Sequence, residues 1–116
     1  MMQIVQVVNV TRGAVLAEQA QLAVSLFQRL KGLLGRQELK SPAGLILQPC
    51  SSIHTFFMHF TIDVLFLDKN KRIVKIIEKM PPHRLTPPIW RSSLAIELPA
   101  GKVAQTHTQV GDQLKF

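Results

Sequence analysis

The sequence predicts a mainly β fold with one short helix, an α+β domain closed or strongly curved into a small barrel-like unit. Three observations carry that expectation. Short runs rich in Val, Ile and Leu recur along the chain, bounded by Gly, Pro, Asn and Asp, the pattern of strands separated by turns. Apolar residues at helical spacing are concentrated in one segment that begins at Ser25. Many short strands in one small domain curl or close readily, and closure hides edges that would otherwise pair with other chains. The 116 residues make a single domain, 1–116, large enough for one core.

Each element follows from its local pattern. "QIVQVVNV", residues 3–10, is rich in β-branched residues, and "TRGA" supplies a glycine for a turn. "VLAEQAQL" returns as the second strand of a hairpin. In "SLFQRLKGLLG" Ser25 is an N-cap with Gln28 three residues on, a capping box, and Leu26, Leu30 and Leu33 share one face. Gly32 or Gly35 can end this helix in a left-handed conformation. A start as early as Ala17 is compatible with propensity, but the capping box favours the later one. "LILQPC", "SIHTFFMHF", "IDVLFLD" and "RIVKIIEKM" are short, apolar or alternating, and predict strands, with "DKNK" as a hairpin turn between the last two. "PPHRLTPPIWRSS", 81–93, holds four of the seven prolines and predicts an irregular loop, a packing flap or a rigid cover. "LAIELPAGKVAQTHTQVGDQLKF" gives a strand, a turn or single helical turn at "PAGKVAQ", and a closing strand after Gly111 and Asp112.

Composition narrows the function classes. With 47% hydrophobic residues and 18% charged, the chain is globular rather than disordered. The formal charge is +7, from 14 Lys and Arg against 7 acids, so nucleic acid, an anionic lipid surface or a phosphorylated ligand is a conceivable partner. The densest cluster, Lys69, Lys71, Arg72, Lys75 and Lys79, runs from a turn into a strand and fits a solvated strand face. Aromatic residues are few and no Tyr is present, which leaves nucleic acid a weak choice. A single cysteine excludes an intrachain disulfide. No run approaches a membrane span, and the N-terminus lacks the basic and apolar regions of a signal peptide, so the expected location is cytoplasmic. No cofactor fingerprint is present.

The polar residues worth attention lie in "PCSSIHTFFMHFTIDVLFLD", 49–68. Both alternating faces of "IDVLFLD" are apolar, with Ile62, Val64 and Phe66 on one and Leu65 and Leu67 on the other beside Asp63. Such a strand is covered on both sides and carries Asp63 towards the core. A buried carboxylate must find partners: backbone amides, His54, His59 or a cation such as Arg91, unless it is protonated. His54 shares parity with Phe56, Met58 and Phe60, while His59 has the opposite parity. Cys50 admits two readings, a nucleophile or soft ligand with His54 beside it, or a small buried hydrophobe, which is the expectation. Cys50, His54, Met58 and His59 match no zinc spacing, so no metal is expected. Glu97 could face Asp63 as a second carboxylate, but no spacing fixes their distance.

"RLKGLLGR", then "GLILQPCSSIHTFFMHFTIDVLFLDKNKRIV", "AIELPAG" and "VGDQLKF", taken in order, resemble the domain of unknown function 192 family, an uncharacterised group of small bacterial and archaeal proteins. The resemblance runs from about Ser25 to the end and implies a small, predominantly β, barrel-like fold, with no established reaction. Its motif positions fall on Gly32, Leu33, Arg36, His54, Thr55, Phe57, Met58, Ile62, Asp63, Phe66, Glu97, Leu98, Ala100 and Gly101. The polar ones, His54, Asp63, Glu97 and Arg36, are those to inspect for a ligand. Cys50 and His54 resemble the version of the motif carrying C-x-S-I-H-T.

Two functions from different classes follow as expectations. The first is a binding or accessory module whose polar pocket at the barrel mouth, formed by Ser52, His54, Asp63, Trp90, Arg91 and Glu97, takes a small polar ligand or a partner's peptide. The alternative is a small enzyme using Cys50 and His54 for nucleophilic chemistry, or His54 and Asp63 as an acid–base pair. A purely structural network among these groups is the third reading.

Overall fold

The computed structural model of the chain describes residues 3–32 and 37–116. The elements are β1 (Gln3–Asn9), β2 (Ala14–Ala23), α1 (Leu26–Lys31), β3 (Ala43–Leu47), β4 (Ile62–Leu67), β5 (Ile73–Met80), β6 (Leu94–Pro99), α2 (Lys102–Thr106) and β7 (Leu114–Lys115). The sheet has seven strands in the order β5-β4-β6-β3-β2-β1-β7. β2 and β3 pair parallel, with α1 in the connection between them, and the remaining neighbours pair antiparallel. A parallel pair needs such a crossover, because a tight turn can only return the chain antiparallel.

The mainly β, barrel-like expectation is met as a curled half-barrel. One end of its seam is drawn together around β7. Ile73 N donates to Asp112 O at 3.0 Å, Gly111 N to Ile73 O at 2.8 Å and Leu114 N to Lys71 O at 3.0 Å, and Arg72 bridges Gln113. These bonds join the two extremes of the strand order.

Both faces of the central strands β3, β4 and β6 are buried. The inner face packs Leu65 and Leu67 of β4, Ile96 and Leu98 of β6, and Ile46 of β3 against Val7, Leu16 and Val103. The outer face packs Ile62, Val64 and Phe66 of β4 with Leu45 and Leu47 of β3 against Ile53 and Met58. All six residues of β4 are buried, as its doubly apolar alternation predicts. Gly44 sits where β3 meets its neighbours most closely: a Cβ there would lie 3.2 Å from Ala17 Cβ and 3.3 Å from Leu98 Cδ2.

The capping box forms as read, with Gln28 N donating to Ser25 Oγ at 3.0 Å and Gln28 Oε1 accepting from Ser25 N at 3.3 Å. Gly32, with φ +46, ends α1. A start at Ala17 is overturned because 14–23 are taken up by β2, whose partners lie on both sides. Leu33, Gly35 and Arg36 lie outside the described residues, as do the side chains of Leu26 and Leu30.

One expected strand is corrected. "SIHTFFMHF" contributes only an isolated bridge between His54 and Leu85, because its backbone pairs with the proline-rich segment rather than with the sheet. Thr55 N donates to Arg84 O at 2.8 Å, Thr86 N to Ile53 O at 2.9 Å and Ile89 N to Ser51 O at 2.7 Å. The two segments form a ribbon that lies over the outer face, the packing flap that the prolines implied. Buried Ile53, Thr55 and Thr86 turn inwards.

Candidate functional site

Asp63 is fully buried on the inner face. Its Oδ1 accepts from Lys79 N at 2.9 Å, and its Oδ2 from Gly101 N at 3.1 Å and Val103 N at 2.9 Å. The first bond spans a bulge, since Ile62 faces Met80 while Val64 faces Ile77, and Lys79 has a left-handed φ of +51. The other two hold the start of α2. Asp63 is thus a clamp made through backbone amides, one of the partner sets the sequence allows. Glu97 lies opposite Leu45 and Val64 on the outer face, whereas Asp63 lies opposite Leu98. The two carboxylates are on different sides of the sheet.

The outer face carries a hollow of about 680 Å³ beside the ribbon. Leu47 and buried Glu97 lie on the sheet side, Cys50 to His54 with Met58 form one wall, and Arg29, Lys31 and Gly32 of the α1 end form another. Pro49, Ser92 and Ser93 complete the lining. Ser52, His54 and Glu97 of the sequence-derived set therefore come together here. Asp63, Trp90 and Arg91 do not line it. Arg29 reaches across to the ribbon, donating from Nη1 to Pro49 O at 3.0 Å.

Cys50 is half-buried at the edge of this hollow. Its Sγ donates to Ser52 O at 3.1 Å. Burial is the main cause that pushes its thiol up; the Ser52 backbone amide and the Arg29 charge oppose the rise, the Glu97 carboxylate adds to it, and the net direction is upward. The group is a thiol at neutral pH, as a small packing residue would be. His54 is exposed and stacks on Phe56 with ring centroids 5.7 Å apart. Its parity with Met58 is broken by a turn at Phe56 and Phe57, where Phe57 has φ +64, so Met58 is buried while His54 faces out. Among the described residues no hydrogen bond joins Cys50 or Asp63 to His54.

Trp90 and Arg91 occupy a tight turn and do not line the hollow. Trp90 is 80% exposed, and the Arg91 guanidinium carbon lies 4.3 Å from its ring centroid. In the lysine-rich stretch, Lys71 Nζ donates to Phe116 O at 2.7 Å and Arg72 Nη1 to Gly111 O at 2.8 Å, while Lys69, Lys75 and Lys79 are exposed. Among the described residues no group of three His, Cys, Asp or Glu side chains is placed to hold a metal ion, and no helix is long and apolar enough to cross a membrane.

Sequence reasoning missed one buried polar cluster. Asn9 is fully buried and Asp112 nearly so. Asp112 accepts from Asn9 Nδ2 at 3.0 Å, Arg12 Nε at 2.9 Å and Gln109 N at 2.9 Å. The signal was an Asn beside the paired valines of "QVVNV" in β1. Arg29 and Lys31 were also missed as cavity residues, because only the fold brings α1 beside the ribbon.

The chain matches the profile of the domain of unknown function 192 family, described as an uncharacterized ACR, over residues 7–116. It is 30% identical to a UPF0127 protein of Thermococcus sibiricus over 113 residues, which is 94% of this chain and 73% of that one. A UPF0127 protein of Pyrococcus horikoshii is 32% identical over 113 residues, 95% of this chain and 97% of the relative. In fold, it is similar to the crystal structure of a protein of unknown function from Novosphingobium aromaticivorans, with TM-score 0.87 and 24% identity over 99% of this chain and 86% of the other.

Proposed function

We propose that the chain, which belongs to the domain of unknown function 192 family, is a binding module that takes a small polar ligand in the hollow on the outer face of its half-barrel. One observation carries this reading: Ser52, His54 and Glu97, singled out from sequence, line the same space as Arg29 and Lys31. Its volume, about 680 Å³, falls in the range of small-molecule sites. The lining offers cations, hydroxyls and an imidazole, groups that orient a polar molecule, against an apolar backing from Leu47, Ile53 and Met58.

The enzyme reading lacks comparable support. The Cys50 thiol donates to a backbone carbonyl and is pushed up by burial, which disfavours the thiolate a nucleophile needs. The Asp63 carboxylate is taken up by three amides.

A thermal-shift screen of small polar metabolites tests the binding reading, because a ligand held only by the folded state raises Tm by an amount that grows with the logarithm of its concentration above Kd. At least one compound is expected to stabilise the protein, and the stabilisation should weaken in Ser52→Ala, His54→Ala and Arg29→Gln variants that melt normally without ligand. Affinities unchanged in all three variants would refute the location.

A further inference from the structure

The ribbon over the outer face presents a surface that the hollow does not use. Phe57 is 77% exposed, Leu85 64% and Phe56 40%, and Trp90 lies at the ribbon's other end, 80% exposed. His54 and Leu85 are bridge partners, and Phe56 stacks on the exposed His54 ring. Phe57 and Arg91, the residue after Trp90, have left-handed φ values of +64 and +69, a conformation that costs a non-glycine residue energy. Four large apolar side chains are exposed on this ribbon, Phe56, Phe57 and Leu85 at one end and Trp90 at the other.

The charges on the ribbon have one sign. Residues 49–61 and 81–93 contain no Asp or Glu, and they include Arg84 and Arg91. Such a surface is complementary to an anionic partner that can also accept apolar groups. Two features favour lipid over single-stranded nucleic acid. Base stacking needs free ring faces, but one face of Trp90 is covered by Arg91 and Phe56 is stacked with His54. Leu85, one of the exposed groups, has no ring to offer a base. A bilayer interface needs no free face: Trp and Phe enter the headgroup boundary as apolar bodies while Arg and Lys stay with the phosphates.

We infer that the ribbon is a docking surface for an anionic lipid bilayer, with Phe57, Leu85 and Trp90 entering the interface and Arg84 and Arg91 contacting lipid phosphates. The attachment is peripheral and reversible, because three or four side chains and a few charges supply it. It places the neighbouring hollow close to the membrane surface.

Trp90 is the only tryptophan in the chain, so its fluorescence reports from the proposed contact itself. The full chain is mixed with vesicles of equal parts phosphatidylglycerol and phosphatidylcholine, and with phosphatidylcholine vesicles alone. The expected result is a blue shift of Trp90 emission and co-sedimentation with the anionic vesicles only, both reduced by salt as charges are screened. Phe57→Asn, which tolerates the left-handed backbone, should weaken partitioning about tenfold by removing a buried aromatic side chain. Arg84→Gln and Arg91→Gln should each weaken it about fivefold, the effect of one basic residue near an anionic surface. Trp90 emission unchanged by anionic vesicles overturns the inference. Equal binding to both vesicle types overturns it as well, and so does a response to a single-stranded oligonucleotide with none to vesicles, which would assign the ribbon to nucleic acid.

Discussion

Asp63 in β4 and Val103 in α2 are joined by a 2.9 Å hydrogen bond from the Val103 amide to the Asp63 carboxylate. The same carboxylate holds the bulge at Lys79 in β5. One buried side chain thus fixes a strand irregularity and the start of a helix. Neither segment has to find its place alone.

Asp63→Ala leaves these amides without their acceptor, and the loss is expected to be about 3 kcal/mol, most of it at the buried Val103 amide. Asp63→Asn, which keeps one acceptor oxygen, should lose about half as much. Urea denaturation of both variants checks the order. Two variants as stable as wild type would show that the amides are satisfied equally well by water.

Acid should destabilise the protein partly through Asp112. Burial alone would raise its carboxyl, but hydrogen bonds from Arg12, Asn9 and Gln109, with the Arg12 charge, outweigh burial and hold it below its ordinary value of 3.8. A group depressed in the folded state adds stability that is present above its unfolded pKa and is lost as pH falls through the folded one. Melting temperature followed from neutral pH into strong acid should therefore fall more steeply below about pH 4 in wild type than in Asp112→Asn. At neutral pH the variant should be the less stable of the two. Parallel acid limbs would remove Asp112 from the account.

Alkylation of Cys50 should be slow in the folded protein. The thiol is half-buried, is bonded to Ser52 O and is pushed up from its ordinary 9.0 by burial. Iodoacetamide labelling is unambiguous because this is the only cysteine. The rate should climb with pH past the ordinary thiol range and jump when the protein is unfolded in urea. Fast labelling near neutral pH would instead mean a stabilised thiolate and would reopen the nucleophile reading.

The patterns that carried through from sequence to structure were those in which side chains report directly on local surroundings. The alternation of β4 stated that both faces of that strand would be covered, and its six residues are buried. The Ser25–Gln28 pair located the start of α1 because a capping box is a contact within one turn. "SIHTFFMHF" misled because alternation records which side chains are buried, not which backbone partners are available. Its partner is the proline-rich segment, and the turn at Phe57 breaks the alternation halfway along. The hollow was half legible: Ser52, His54 and Glu97 stood out as polar residues in apolar runs. Arg29 and Lys31 lie on a helix that the parallel crossover between β2 and β3 carries to the other side. Asp63, grouped with them by nearness in sequence, faces the opposite side of the sheet.

The two-residue strand β7 has a consequence for how the protein assembles. Its pairing with β1, and the Asn9–Asp112 bond beside it, close a loop of about a hundred residues. Closing so long a loop is entropically costly before the contacts it permits can repay it. The β1–β2 hairpin and the β4–β5 hairpin need only short loops and can form early. The half-barrel then takes shape with its seam apart, and residues 111–115 join the two sides as a late step. Run in reverse, the same order makes this seam the first place where the native protein opens. Amides such as those of Ile73 and Leu114 should exchange with solvent sooner than those in the centre of β4, although Ile73 and Leu114 are equally hidden from water.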